Sequence, residues 1–404
     1  MSFYRSIVVI GAGFGGLRAA KLLAKNYRVT LVDQRAYHTY TPLLYEAATT
    51  FKETANYQEI KDLVAYSIEE LVEFQSINFI HSEVRQLDLI NGDVHCANGV
   101  KLKFDYLILA LGSEVNYFGI PGLAENSLPL KTFIDALKIR EKVLELTVGR
   151  ERVRIIIGGG GSTGVELAGE LKVWLGDKLS IGLVEAASEI LPGFSEGVVS
   201  KIRRRLNNLQ ITLLTGSPID KVGPGKLFLK NGRELECDLL IWTGGVKAPS
   251  MIANLPLKLE SMGRVEVAGK MECLPQNPDL RLYGKVYAIG DMVCRYDSKT
   301  GKPVPGTARA AIEQAGIAAY NIDCDIKEIR LHKEYLPWNY PYIIPVGGKY
   351  AVAKIGKLVI SGFFGWVAKG LVEFYYLLSI FPFWKAIKIW FKGLWIFIKN
   401  DRLG

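Results

Sequence analysis

The feature that most restricts this chain is a glycine pattern that occurs twice. The first copy lies in SIVVIGAGFGGLRAAKLLAKNYRVTLVD, from Ser6 to Asp33: an apolar run, a glycine turn, an Ala/Leu-rich stretch and a second apolar run. Short continuous apolar runs on either side of a helical stretch make a βαβ unit. Gly11, Gly13 and Gly16 fit G-x-G-x-x-G, and Asp33 follows about 20 residues on, as in a dinucleotide fingerprint. The second copy, RIIIGGGGSTGVELAGELKVW from Arg154, has Gly159, Gly161 and Gly164 at the same spacing, and its strand IGLVE ends at Glu185. The chain is therefore predicted to be α/β, with two Rossmann-like dinucleotide-binding domains.

Glycine serves at these positions because the strand-to-helix turn is tight and a pyrophosphate must approach the backbone. Free N–H groups and the positive end of the helix dipole then face the phosphates. Asp33 and Glu185, each ending a second strand, are placed to accept hydrogen bonds from an adenosine ribose. An acid there repels a 2′-phosphate, and Ala186, Ala187 and Ser188 offer no arginine to hold one, so NADH is expected in preference to NADPH.

The duplication extends beyond the glycines. ANGVKLKFDYLILALG, Ala97 to Gly112, matches KNGRELECDLLIWTGG, Lys230 to Gly245, pairing Asn98-Gly99 with Asn231-Gly232 and Asp105 with Asp238. Each reads as a hairpin turn and then an apolar strand ending at a glycine. A third signal, VYAIGDMV from Val286, ends a short strand at Gly290-Asp291 and precedes the helical stretch GTARAAIEQAGIAAYNI. By itself such a Gly-Asp pair can be an ordinary turn; in a two-dinucleotide flavoprotein the segment returns to the first domain, where Asp291 can hydrogen-bond a ribityl chain and the next helix points its N-terminus at the flavin.

Charge and cysteine content narrow the function. The five cysteines, Cys96, Cys237, Cys273, Cys294 and Cys324, form no C-x-x-C pair and the four histidines show no ligand spacing. Reduced structural thiols are expected, with no metal centre. Ile7–Ile10 runs straight into the glycine motif and so reads as a buried strand, not a leader. Of the formal charge of +9, the segment Ala351 to Gly404 carries +6: Lys354, Lys357, Lys369, Lys385, Lys388, Lys392, Lys399 and Arg402 against Glu373 and Asp401. No nucleic-acid-binding fold accompanies that charge.

The same segment is rich in aromatics. Within Phe363 to Lys399 the longest uncharged run, Phe374 to Trp384, has 11 residues and contains Pro382, short of the roughly 20 that a transmembrane helix needs. On a helix, Lys385, Lys388 and Lys392 share one face while Ile387, Phe391, Leu394 and Ile398 share another; Trp384, Trp390 and Trp395 suit a headgroup level. An amphipathic membrane anchor is predicted, and burial in a homodimer interface is the alternative.

Together these motifs resemble the type II NADH dehydrogenases, single-subunit NADH:quinone oxidoreductases that pump no protons. The resemblance rests on both fingerprints, on YHTYTPLLYEAAT, GGGGSTGVELAGEL, VEAASEILPGF, IWTGGVKAP and YAIGDMV in that order, and covers nearly the whole chain. It implies non-covalent FAD held by Gly11, Ala12, Gly13, Phe14, Gly15, Gly16, Asp33, Gln34, Thr41, Val84, Ala110, Gly112, Gly290, Asp291 and Ala308. NADH would be held by Gly159, Gly161, Ser162, Thr163, Gly164, Glu166, Glu185 and Gly244, with Glu166 also catalytic, placing the reacting ring. Glu166 can equally be an acid in a helix's first turn, stabilised by the dipole.

One departure concerns the acceptor. The family's A-Q-x-x-x-Q-Q stretch, whose glutamines line a quinone channel, is here Ala308-Arg309 followed by Glu313-Gln314. Arg309 and Glu313 can form an i,i+4 ion pair, or reshape the quinone site. The expected domains are residues 1–115 and 248–335 for FAD, 116–247 for NADH, and 336–404 for the membrane and quinone access. The expected reaction moves a hydride from NADH to FAD and two electrons on to a membrane quinone, at the cytoplasmic face of the cell membrane. A disulfide reductase would need a cysteine pair beside the flavin, and Tyr37–Thr50 has none. A soluble ferredoxin-type reductase and a non-enzymatic flavin sensor are the remaining alternatives.

Overall fold

Both apolar-run patterns fold as parallel sheets in a computed structural model, which describes residues 5–297, 301–338 and 340–400. Asp401 and Arg402 of the basic segment lie outside the described residues. One sheet has the strand order Lys285–Ala288, Tyr106–Leu109, Ile7–Ile10, Val29–Asp33, Ile77–His81. The other runs Leu128–Pro129, Leu239–Trp242, Val153–Gly158, Leu179–Val184, Thr212–Leu214. Central strands are buried along their length, as a parallel sheet covered on both faces requires. The two expected Rossmann-like units are therefore present. They differ in chain order: the first sheet's edge strand arrives late, at Lys285, and the second's arrives early, at Leu128.

The chain divides into two compact units, Met1–His38 with Tyr66–Glu114 and Val246–Trp338, and Thr39–Ala65 with Val115–Gly245 and Asn339–Gly404. Residues 39–65, expected within the first FAD stretch, group with the second unit, and so does the C-terminal region. In the first unit the helix Phe14–Leu23 packs on Ala308–Ile326. Gly15 permits that approach: a Cβ there would stand 3.2 Å from the Ala311 carbonyl oxygen.

The second repeat is equally literal. Val84–Asp88, Asp93–Cys96 and Lys101–Lys103 form a meander, as do Ile219–Gly223, Lys226–Leu229 and Glu234–Glu236, each with a register shift in its first strand. Asn98 Oδ1 accepts from Val100 N–H at 3.2 Å and Asn231 Oδ1 from Arg233 N–H at 3.1 Å, the same side-chain turn. Asp105 Oδ2 accepts from Ser6 N–H and Asp238 Oδ2 from Arg154 N–H, both at 2.7 Å, tying each meander to the start of its central strand.

The second unit ends in an antiparallel sheet, Tyr342–Pro345, Ala351–Ile355 and Leu358–Gly362, and the helices Phe363–Ile380 and Phe383–Asn400. Contrary to the expectation drawn from uncharged runs, Phe363–Ile380 is long and apolar enough to cross a membrane by length and composition. One side of it packs on protein. Gly365, Glu373, Tyr376 and Leu377 are buried, and an added Cβ at Gly365 would lie 2.2 Å from the Ala351 carbonyl oxygen. The opposite face exposes Phe364, Leu371, Val372 and Tyr375. Phe383–Asn400 buries Ala386, Gly393, Ile396 and Asn400 and exposes Trp384, Phe391, Trp395 and Ile398. Trp390, expected at a headgroup level, donates its indole N–H to the Gly370 carbonyl at 2.8 Å, and Lys392 pairs with Asp62 at 3.1 Å.

Candidate functional site

In the first unit Gly11 has φ of +99°, and its N–H donates to the Val32 carbonyl at 2.7 Å. A Cβ on Gly16 would sit 1.8 Å from the Gly11 carbonyl oxygen and 3.0 Å from the Ala110 methyl, so helix and strand meet only because this residue is glycine. Gly13 is the N-cap of Phe14–Leu23 without a side-chain cap, and a Cβ on it would meet nothing within 4 Å. The helix N-terminus thus has no side-chain cap and free room at Gly13, which fits a pyrophosphate.

Asp33 Oδ2 accepts from Ala12 N–H at 2.6 Å and Oδ1 from Arg35 N–H at 2.8 Å, leaving each oxygen a lone pair for a ribose hydroxyl. Burial pushes the Asp33 carboxyl up, against those two N–H groups and the charges of Arg35 and His81. The Gln34 carbonyl accepts from His81 Nε2 at 3.1 Å, and Val84 opens its strand as a buried residue. Thr41 begins the short turn Thr41–Leu43 in the second unit, whereas the other residues expected to hold FAD are in the first.

One supporting residue escaped the motif reading. His38 is buried, with Nδ1 2.9 Å from the Ala12 carbonyl oxygen, an edge contact to Phe14 and a stacked contact to Tyr66. Burial lowers its pKa to about 4, so it is neutral and underpins the turn as an N–H donor. It stands in YHTYTP, but a lone histidine has no spacing to mark it.

The second unit repeats the cradle. Gly159 has φ of +108° and its N–H donates to the Val184 carbonyl at 2.8 Å; a Cβ on Gly164 would lie 2.0 Å from the Gly159 carbonyl oxygen. Gly161 is an uncapped N-cap opening into free space, at the head of Ser162–Leu175 where Ser162 and Thr163 begin the first turn. Glu185 Oε2 accepts from Gly160 N–H at 2.6 Å and Oε1 from Ala187 N–H at 2.7 Å. A Cβ on Gly244 would strike the Trp242 ring, whose N–H donates to the Asn116 carbonyl at 2.8 Å.

Back in the first unit, Gly290 takes a φ of +84° and Asp291 Oδ2 accepts from the Ser113 hydroxyl at 3.0 Å, near Gly112, whose φ is +69°. The N-terminus ahead of Ala308 differs from the other two because the Thr307 side chain caps it, accepting from Ala310 N–H at 3.1 Å. Arg309 and Glu313 form the i,i+4 ion pair at 3.0 Å, and Glu313 also accepts from the Trp338 indole. Gln314, expected among quinone-facing residues, is buried, and its Oε1 accepts the Gly290 N–H at 2.7 Å.

Glu166 is the fifth residue of Ser162–Leu175, past the first turn, so the N-terminal dipole is not what governs it. Burial first, and Glu46 beyond it, push its carboxyl up to about 8, while Lys369 opposes them. Around it lies a cluster that motif reading did not find. Buried Lys369 pairs with Glu46, and Glu373, one turn along the same helix, is pushed up to about 7 by burial, again against Lys369. Burial works against the charge on Lys369, but Glu46, Glu373 and Glu170 outweigh it and raise its pKa. The signal in the sequence was Lys369 and Glu373 four apart on an otherwise apolar helix.

With that geometry in hand, the chain matches the pyridine nucleotide-disulphide oxidoreductase family over residues 5–315. The type II NADH:quinone oxidoreductase of Haemophilus influenzae is 29% identical over 367 residues, which span 79% of this chain and 80% of that protein. The demethylphylloquinone reductase of Synechocystis is 28% identical over 402 residues, 94% and 93% of the two chains. Among solved structures, NDH2 from Plasmodium falciparum in complex with NADH is similar, with a TM-score of 0.83 at 20% identity over 99% of each chain.

Proposed function

The chain belongs to the pyridine nucleotide-disulphide oxidoreductase family, and from that premise we propose that it is an FAD-dependent type II NADH:quinone oxidoreductase. The observation that carries the reading is the pair of cradles, each with an uncapped helix N-terminus and a strand-end carboxylate held by two N–H groups. When bound, FAD supplies the two-electron chemistry, accepting a hydride from NADH and passing two electrons to a quinone.

The chain's own part is binding, orientation and protonation. Gly11 to Gly16 and Asp33, with Asp291 at the far end, hold FAD; Gly159 to Gly164 and Glu185 hold NADH. Glu166, its pKa near 8, keeps its proton at neutral pH and can donate a hydrogen bond that fixes the reacting ring. Gln314 positions the Gly290-Asp291 turn, and Arg309 with Glu313 is the pair offered to the acceptor. A disulfide chemistry is disfavoured, because all five cysteines are buried and free.

The exposed aromatics of the last two helices, with Lys385, Lys388 and Lys399, suit the lipid surface at the cytoplasmic face of the cell membrane, from which a quinone enters. Anaerobic mixing tests the whole scheme. The purified yellow protein should bleach with NADH and regain colour with a short-chain quinone. Bleaching without recovery removes the quinone assignment; a protein that stays colourless after flavin is supplied removes the reading entirely.

A further inference from the structure

The loop that follows Glu185 is held rigidly against the second glycine turn. Glu185 takes the Gly160 N–H on its side chain, and five residues on from Ala186 the Leu191 N–H donates to the Gly160 carbonyl at 2.8 Å. Between these ties, Gly216 N–H donates to the Ala187 carbonyl at 2.6 Å, and Leu191 is buried with φ of +51°, a conformation that tertiary contacts must impose. Glu189 therefore has a fixed place on the rim of the ribose cradle. Its Oε1 accepts from Ile190 N–H at 2.8 Å, and its Oε2 pairs with the guanidinium of Arg203, on the helix Glu196–Asn208. Among the described residues Arg203 is the one cation paired with this loop. Its neighbour Arg205 is committed elsewhere, to the carbonyls of Val346 and Gly347 and the Tyr350 ring.

Guanidinium is the group that holds a 2′-phosphate where a dinucleotide fold accepts one. We propose that Glu189 is a second specificity-determining residue, acting through Arg203. By occupying that guanidinium it withholds from the ribose rim the cation that would receive a 2′-phosphate. Discrimination against the phosphorylated dinucleotide then has two parts: Glu185 repels the phosphate directly, and Glu189 sequesters its potential partner. The inference rests on the reading of the second cradle as the NADH site. The Glu189–Arg203 pair lies at the surface, its side chains 36% and 48% exposed, so it adds little to folding, and changing it should leave the fold intact.

The test uses the full chain with flavin bound, and anaerobic bleaching rates with NADH and with NADPH, so that no quinone enters the readout. Glu189→Gln should raise the NADPH-to-NADH ratio of kcat/KM by roughly tenfold, the value of one charge-assisted hydrogen bond, through a lower KM for NADPH and with kcat for NADH unchanged. Glu189→Asp, which keeps the ion pair, should retain the original ratio. Adding Arg203→Gln to Glu189→Gln should abolish the gain. A ratio in Glu189→Gln within about twofold of the parent, or a gain that survives loss of Arg203, overturns the proposal. If NADH itself fails to bleach the parent protein, the NADH reading falls first and takes this inference with it; if NADH bleaches normally and only the ratio stays still, the role of Glu189 alone falls.

Discussion

The two cradles are built alike and surrounded differently. Ala12 and Gly160 donate to their strand-end acids at the same 2.6 Å, and Gly11 and Gly159 donate to the neighbouring strand at 2.7 and 2.8 Å. Behind the third glycine they part: Gly16 faces the Ala110 methyl, Gly164 the Thr243 hydroxyl, which donates back to the Gly158 and Gly159 carbonyls at 3.1 Å. The first turn rests on a buried neutral histidine. The second belongs to a helix whose far side carries Glu166 and, at Gly169, presses on Val346 and Gly347. On the reading proposed above, the first cradle keeps its ligand and the second exchanges it.

The largest test of that division is an alanine at each third glycine. In both, the new Cβ would overlap a backbone carbonyl oxygen, at 1.8 Å for Gly16→Ala and 2.0 Å for Gly164→Ala. Gly16→Ala should purify without flavin and lose turnover by about a hundredfold or more, whereas Gly164→Ala should stay yellow and lose NADH-driven bleaching on a similar scale. Absorbance at purification separates them. Two colourless proteins would show that the units do not divide resident cofactor from exchanging substrate.

A smaller effect should belong to the second unit alone. Glu373 and Glu166 hold protons in the folded chain well above the ordinary carboxyl value of 4.5, to about 7 and about 8, because burial disfavours their charged forms and Glu46 adds to that, while Lys369 opposes it. Between those values the folded state binds more protons than the unfolded one, so stability is greatest on the acid side and falls as pH rises from about 4.5 to 8. Glu373→Gln should flatten that decline in thermal midpoint. An unchanged pH slope would remove Glu373 from the cause.

The smallest test asks whether the duplication is energetic as well as geometric. Asn98→Ala and Asn231→Ala each delete one turn-closing hydrogen bond, so each should cost about 1 kcal/mol in denaturant unfolding, and equally. A cost confined to one of them would mean the matching turns are not equivalent.

Local rules made the cradles legible. A turn this tight admits only glycine at Gly11 and Gly159, and the strand-end acids stand at a fixed distance along the chain, so spacing alone located them. The hairpins at Asn98-Gly99 and Asn231-Gly232 were readable for the same reason. What stayed hidden depends on contacts across the sequence. Lys369 meets Glu46, and Gln314 turns inward to Gly290, because helices far from those partners pack there. Amphipathic periodicity sorted the C-terminal lysines by helix face, yet it could not foresee that Lys392 is spent on Asp62.

The final helix ends in a clasp. Asn400 accepts from Phe51 N–H at 2.9 Å and donates to the Thr49 carbonyl at 2.9 Å, three residues beyond the Glu46 that Lys369 neutralises. The helical tail is consequently not a detachable accessory. Deleting both C-terminal helices would remove Lys369 as well as Asn400, stripping Glu46 of its counter-charge and baring both backbone groups, a loss on the order of 3–5 kcal/mol for the charge alone. The proposed lipid contact is better tested by polar replacement of the exposed Phe364, Trp384 and Trp395, with the whole chain retained.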